Sequence, residues 1–165
     1  MTAPTKKKKL RKAMAGFCVL AESNERRWHY SQTRPITGYG LPASAYHVAD
    51  CSGYVALVFD HAVHTAGAFL VSPLGSPHGW GYTGTELDFL RAHGKRVVEA
   101  NGYLVGDLAV YGQRGSDGSH TTVCRKAGSA STSVWSSHGS ERGPVPVKLD
   151  YRDDLMGCWR HPGLL

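Results

Sequence analysis

A cysteine at the predicted start of an apolar helix is the residue best suited to chemistry in this sequence. Asp50, Cys51, Ser52 and Gly53 precede apolar residues at helical spacing, which predicts a helix over about residues 50–66. A helix N-terminus carries partial positive charge and free N–H groups, so it lowers the pKa of a thiol placed there. The pattern therefore indicates a nucleophile, although a capped helix with a buried, inert cysteine fits the same residues.

Two histidines could supply the base and its orienting partner. His120 begins a predicted strand, and His138 ends the next one. If these strands pair as a hairpin with a turn near residue 128, position 138 lies opposite about residue 118. The imidazoles would then meet at the open end of the hairpin, where His120 takes the thiol proton and His138 orients His120 by a hydrogen bond. Taken alone, His120 is also typical of a surface histidine beside a turn.

Other reactive groups form no recognisable site. His61 and His64 lie three residues apart on the predicted cysteine helix, but no further ligand cluster accompanies them, so we expect no metal and no other cofactor. Neither a phosphate-binding loop nor a dinucleotide-binding motif is present. The four cysteines lack zinc-type or thioredoxin-type spacing, and whether Cys124 pairs with Cys158 stays open.

The elements that must position these residues run from helices to strands. Helices are predicted over about residues 9–27, 50–66 and 83–93, and Thr83-Gly84-Thr85-Glu86 reads as a capping box at the start of the third. Short β-rich runs separated by turn residues follow at 96–99, 104–111, 120–125, 131–137 and 147–151. This order predicts an α+β fold in which N-terminal helices pack on an antiparallel β-sheet.

Length and charge narrow the class of protein. The 165 residues suit one domain, which we expect over 9–165 after a disordered basic arm at 1–8. A formal net charge of +6 favours a polyanionic partner: nucleic acid, an anionic membrane or an anionic cell-wall polymer. No apolar run reaches the roughly 18 residues that an integral membrane segment needs.

The N-terminal stretch has two interpretations. Lysines followed by an apolar run at 13–21 are similar to a signal peptide. However, Leu10, Met14, Phe17 and Ala21 recur at helical spacing, which favours a retained first helix. We therefore expect a protein made in the cytoplasm without an export signal, with secretion as the alternative.

Several motifs, taken in order along the chain, resemble those of one family. The sequences at 50–55, 106–108 and 119–123 are similar to the cysteine, Gly-Asp-Leu and histidine motifs of NlpC/P60 cysteine peptidases, which cut peptidoglycan stem peptides. The branch in endolysins of actinobacterial phages looks closest, by the segments at 29–35, 81–85, 137–144 and 151–155. The resemblance covers about residues 10–160 and implies a papain-like NlpC/P60 fold.

The resemblance also implies roles for individual residues. Cys51 would be the nucleophile, His120 the base and His138 the third polar residue. The chain departs from many relatives at Thr121 and Thr122, which replace more apolar residues in the histidine strand. This departure affects the expected details of substrate recognition more than the expected thiol chemistry.

A tyrosine that helps to stabilise the oxyanion is implied as well. Tyr30 fits this role best, with Tyr39 and Tyr46 as alternatives. Three neighbours of the implied catalytic residues are expected to bind substrate: Asp50, Ser52 and Ser137.

The function that the resemblance implies is that of a monomeric, endolysin-like peptidoglycan hydrolase. It would cleave an amide bond of the stem peptide by a Cys-His-His thiol mechanism at the bacterial cell wall, with anionic wall polymers as further partners. The enzymatic alternative is a CHAP-like N-acetylmuramoyl-L-alanine amidase or another thiol acyl-transfer enzyme. A basic nucleic-acid-binding protein is the alternative of another class, but it rests on charge alone, so we expect no nucleic-acid partner.

Overall fold

Three α-helices precede most of the strands. The computed structural model describes residues 5–67, 70–75, 80–113 and 116–165. Within these ranges α1 spans Lys6–Ser23, α2 spans Cys51–Ala66 and α3 spans Thr83–His93. The strands are β1 (Trp28–Tyr30), β2 (His47–Ala49), β3 (Lys95–Val97), β4 (Asp107–Tyr111), β5 (His120–Lys126), β6 (Val134–Ser137), β7 (Val145–Val147) and β8 (Leu155–Arg160). Short 3-10 helices lie at Glu25–Arg27, Glu99–Asn101 and Pro162–Leu164.

The strands form a six-stranded antiparallel sheet and a separate parallel pair. The order in the large sheet is β3-β8-β4-β5-β6-β7, and β1 pairs with β2. One face of the sheet, the helix face, packs against the helices through residues such as Leu108, Val110 and Val123. The opposite side, the outer face, carries a second apolar cluster that includes Tyr111 and Trp135. The predicted α+β architecture, with helices packed on an antiparallel sheet, is confirmed.

The first helix starts and ends earlier than predicted. It begins at Lys6 and ends at Ser23, and a 3-10 helix and β1 replace the predicted last turn. Its buried residues include the apolar positions at helical spacing, so packing rather than capping fixes its register. Lys6–Lys8 are helical and exposed instead of belonging to a disordered arm. Residues 1–4 of that predicted arm lie outside the described residues.

The predicted bounds of the second helix are confirmed, and Asp50 caps its N-terminus. The Asp50 carboxylate accepts the Gly53 N–H at 2.7 Å, and Gly67 ends the helix in the left-handed conformation. A Cβ on Gly53 would lie 3.1–3.2 Å from Ala49, Asp50 and Ile36. Glycine therefore lets β2 and the first turn of α2 pack closely at the cysteine.

The predicted capping box of α3 is wrong, although the helix itself is confirmed. The Thr85 hydroxyl accepts the Tyr82 N–H at 2.8 Å, so the cap lies one residue before Thr83. Glu86 is fully buried and accepts a hydrogen bond from Thr121 instead of capping the helix. Tertiary packing against the sheet has overridden the local capping pattern.

Three strands and the pairing of the hairpin differ from the sequence-based expectation. β1, β2 and β8 were not predicted, since β1 and β2 have three residues each and β8 contains Gly157. β5 and β6 do pair, but Val123 lies opposite Ser136, so the register is shifted by three residues from the predicted one. No helix in the described part of the chain is both long and apolar enough to cross a membrane.

Candidate active site

The Cys51 thiol is buried at the first position of α2. Cys51 is only 2% exposed, and its Sγ lies 3.6 Å from the Thr83 hydroxyl. Burial raises the pKa of the Cys51 thiol to about 11, and the neighbouring Asp50 charge raises it further. Burial thus opposes the expected lowering of this pKa by the helix N-terminus, because desolvation disfavours the thiolate.

The expectation that Asp50 and Ser52 bind substrate is also corrected. They are 3% and 0% exposed, and the Ser52 hydroxyl donates to the Asp50 carboxylate at 3.0 Å. The same carboxylate caps α2 through Gly53 and forms an ion pair with Arg34. Both side chains are thus committed to holding the first turn of the cysteine helix.

His120 lies on the outer face, at the wall of a cleft. Its Nε2 is 2.9 Å from the Ser137 hydroxyl, which lies 3.3 Å from the hydroxyl of Tyr151. Burial lowers the pKa of His120 to about 4, and the positive charge of Arg152 adds to this effect. At neutral pH the imidazole is therefore neutral, and among the described residues its Nδ1 makes no hydrogen bond. This nitrogen is the one free to accept a proton.

His138 lies on the opposite face of the sheet. Continuing the observed register places it opposite Thr121, one position from His120, and alternation then directs it to the helix face. Its ring lies 5.8–6.1 Å from those of Trp28, Tyr30 and Tyr54. Its Nδ1 is 3.3 Å from the Arg142 carbonyl. The expected hydrogen bond from His138 to His120 is therefore wrong, since Ser137 occupies that position.

Among the three candidate tyrosines, Tyr30 is the one that has Cys51 as a neighbour. It pairs with Ala49, two residues before Cys51, in the β1–β2 ladder. Burial raises the pKa of Tyr30, and the charges of Cys51 and Asp50 raise it further, as expected for neighbours. Tyr39 packs beside the middle of α2, and Tyr46 is 62% exposed and stacks on His29.

A cleft of about 500 Å³ opens next to these residues. Its lining includes Tyr30, His120, Ser137, Arg142, Tyr151 and Arg152. The lining mixes hydroxyl, imidazole and guanidinium groups with the apolar faces of the tyrosine rings. Such a surface suits a polar, extended substrate that carries carboxylate or amide groups.

Sequence reasoning missed three residues around the thiol: Arg34, Thr83 and Glu86. Burial raises the pKa of Glu86 to about 8, and its Oε1 accepts the Thr121 hydroxyl at 2.6 Å. Its Oε2 is buried with no hydrogen-bond partner among the described residues. Glu86 was assigned to a capping box, so only the packing of α3 against β5 reveals it.

The remaining histidines and cysteines form no site in the described ranges. No group of three or more His, Cys, Asp or Glu side chains there is arranged to hold a metal ion. His61 is within hydrogen-bond distance of Thr65, and His64 of the Asp60 carbonyl. All four cysteines are buried and free.

The geometry can be compared with known proteins. No protein-family model matches the sequence, and no curated protein does either. Solved structures do match. NlpC2 from Trichomonas vaginalis is 12% identical over 90% of this chain and 47% of its own, with a TM-score of 0.53. The P60 domain of an antigen from M. avium subspecies paratuberculosis is 14% identical, covering 92% and 96%, with a TM-score of 0.53. The peptidoglycan hydrolase RipB from Mycobacterium tuberculosis is 16% identical, covering 98% and 73%, also with a TM-score of 0.53.

The chain has the NlpC/P60 fold. The near-complete overlap with the isolated P60 domain shows that the NlpC/P60 fold accounts for almost all of the described elements. The chain spans less than half the length of two matched structures, at 41% and 47%.

Proposed function

We propose that this protein is a peptidoglycan hydrolase that uses Cys51 as its nucleophile. The observation that carries the proposal is the combination of the NlpC/P60 fold with a cysteine at the N-terminus of α2. Tyr30, a neighbour of this cysteine, lines the cleft that His120 and Ser137 also line. One similar structure, RipB, is itself described as a peptidoglycan hydrolase. Tyr30 and Tyr151 line the cleft and are both neighbours of Cys51, which supports placing the reaction at this cleft.

The first half of the reaction begins from a neutral pair. With the pKa of Cys51 raised to about 11 and that of His120 lowered to about 4, thiol and imidazole are both uncharged at neutral pH. His120 Nδ1 takes the thiol proton as Sγ attacks the amide carbon of the stem peptide. The carbon–nitrogen bond then breaks, and the imidazolium returns the proton to the leaving amine. A thioester on Cys51 remains.

The second half regenerates the thiol. A water molecule gives a proton to His120 and attacks the thioester carbon. The carbon–sulfur bond then breaks to release a carboxylic acid, and the imidazolium returns its proton to the leaving sulfur of Cys51. N–H groups of the first turn of α2, together with the Tyr30 hydroxyl, stabilise the oxyanion in both halves. Ser137 holds Nε2 of His120 at 2.9 Å and thereby fixes the imidazole orientation.

The proposed cellular role rests on four sequence segments and on the lysines of α1. The segments at 29–35, 81–85, 137–144 and 151–155 are similar to endolysins of actinobacterial phages, so we assign an endolysin-like role at the bacterial cell wall. Exposed lysines in the first turn of α1 would attract anionic wall polymers. Arg11 does not join this surface, because it donates to the carbonyls of Val105 and Leu164.

Digestion of defined muropeptides tests the proposal. Products of wild type, Cys51→Ala and a control, Cys158→Ala, are identified by mass spectrometry. We expect new peptide termini with wild type and the control, and none with Cys51→Ala. New lactyl ends of muramic acid would instead support the amidase alternative. Cleavage by Cys51→Ala at the wild-type rate, or no cleavage by wild type, would contradict the proposal.

A further inference from the structure

Arg34 makes a buried set of contacts that the reaction steps above do not use. Its Nη2 lies 2.8 Å from the Asp50 carboxylate, with side chains 2% and 4% exposed, and 3.1 Å from the Ser52 hydroxyl. Its Nε donates to the Gly81 carbonyl at 2.7 Å, and its guanidinium lies 4.1 Å above the Tyr82 ring. One side chain therefore joins the start of α2 to the residues that enter α3.

Both ends of this set of contacts reach the thiol. Asp50 directly precedes Cys51, so an unpaired carboxylate there would oppose the formation of a thiolate. Gly81 lies two residues before Thr83, whose hydroxyl is 3.6 Å from Sγ. Arg34 therefore controls the charge beside the sulfur through one contact and the position of a hydroxyl on the sulfur through another.

We propose that Arg34 is a positioning residue for the Cys51 thiol: it neutralises the Asp50 carboxylate and holds Thr83 against the sulfur. The planar guanidinium meets acceptors on two sides and stacks on an aromatic ring at the same time, which a lysine ammonium cannot do. A buried pair of this kind is also sensitive to the loss of one partner, because the other charge is left uncompensated.

Other ionisable groups face the thiol from each packed element. They are Glu86 on α3, Tyr30 on β1 and Tyr151 after β7. His120 borders the cleft together with the two tyrosines. None of these residues is changed in the variants below. Differences among variants at these two positions therefore report on the pair itself.

The test measures the rate at which iodoacetamide alkylates Cys51 across pH, followed by peptide mass spectrometry. Arg34→Met should move the midpoint of this pH profile upward by about one unit, and Arg34→Met/Asp50→Asn should bring it back towards wild type. Asp50→Asn alone, which keeps a capping side chain, should move the midpoint downward. Arg125→Met, which breaks the 2.9 Å pair with Glu22, is the matched control and should leave the midpoint unchanged.

Hydrolysis provides a second readout. Arg34→Met should lower kcat roughly tenfold or more with little change in KM, because the nucleophile rather than substrate binding is disturbed. Arg34→Lys keeps the charge, so it should keep the alkylation midpoint while losing kcat with the Gly81 contact. An unchanged midpoint in folded Arg34→Met, or a double variant that stays shifted, would overturn the proposal.

If Arg34→Met does not fold, the Asp50→Asn and Arg34→Lys variants still test the proposal. An alkylation midpoint that does not fall in Asp50→Asn, or a kcat that is unchanged in Arg34→Lys, counts against the proposal. Only the kinetic readout rests on the proposed function. Alkylation needs no substrate, so a protein without wall-degrading activity would refute the proposed function while the alkylation profiles still tested the role of Arg34.

Discussion

His120 and His138 lie on neighbouring strands of one hairpin, yet they serve opposite faces of the sheet. On the outer face, His120 meets the hydroxyl of Ser137 and a cleft. On the helix face, His138 lies among the rings of Trp28, Tyr30 and Tyr54. Burial lowers the pKa of both imidazoles, so titration alone does not tell them apart. A one-residue offset between the paired strands separates the histidine that lines the cleft from the histidine that packs among aromatic rings.

The largest expected effect is on stability at the helix face. His138→Ala leaves a cavity between three aromatic rings, and we expect a loss of about 2–4 kcal/mol in the free energy of unfolding. Urea denaturation followed by circular dichroism measures this loss. A loss below about 1 kcal/mol would show that the aromatic surroundings of His138 are not a packed part of the core.

Acid should destabilise the protein through its buried histidines. Burial lowers the pKa of His120 and of His161 to about 4 from an ordinary value of 6.5. A lowered pKa means that the stabilising contribution is complete above pH 6.5 and is lost as the pH falls towards 4, by up to about 3 kcal/mol for each residue. Thermal unfolding between pH 4 and 7 should show this loss, and His120→Phe should reduce the slope.

Ser137 and Ser136 provide a matched pair on the two faces. Ser137→Ala frees Nε2 of His120, and we expect kcat to fall about tenfold, as the loss of one orienting hydrogen bond implies. Ser136 bonds the Tyr54 hydroxyl at 2.7 Å on the helix face. Ser136→Ala should therefore lower stability by about 1 kcal/mol and leave kcat within about twofold. A larger loss of kcat in Ser136→Ala than in Ser137→Ala would reverse the comparison.

The decrease in stability towards alkaline pH concerns Glu86, which joins α3 to the helix face. A raised pKa means that its neutral form is stabilised by folding, so this contribution is lost as the pH rises from about 4.5 through about 8. Glu86→Gln cannot ionise and should flatten the decrease in stability between about pH 4.5 and 8. An unchanged alkaline slope would show that Glu86 is not a buried acid of this kind.

The sequence predicted the three helices and part of the large sheet, but not β1, β2 or β8 and not the contacts between elements. The bounds of α2 and its Asp50 cap could be predicted because capping and apolar spacing are local signals. The α+β order was predictable for the same reason. The register of β5 and β6 was not, because the irregularity in pairing between Cys124 and Lys126 changes which residue lies opposite Val123. Because the shift is an odd number of residues, it turns His138 to the face opposite to His120.

In the candidate site, too, local features could be predicted from the sequence and contacts between distant segments could not. Cys51 and His120 stood out by residue type and motif, whereas Arg34, Thr83 and Glu86 acquire their positions only when distant segments pack together. The pKa of Cys51 also could not be predicted from its helix position. Local electrostatics favour the thiolate, and burial, which depends on the whole fold, opposes it more strongly.

The same substitution at both histidines tests the central claim most directly. His120→Phe and His138→Phe each remove both ring nitrogens and keep a ring, so kcat/KM on one soluble stem peptide separates chemistry from packing. The account predicts a loss of roughly a hundredfold or more for His120→Phe and less than about tenfold for His138→Phe. Equal losses, or a larger loss for His138→Phe in a folded protein, would contradict it.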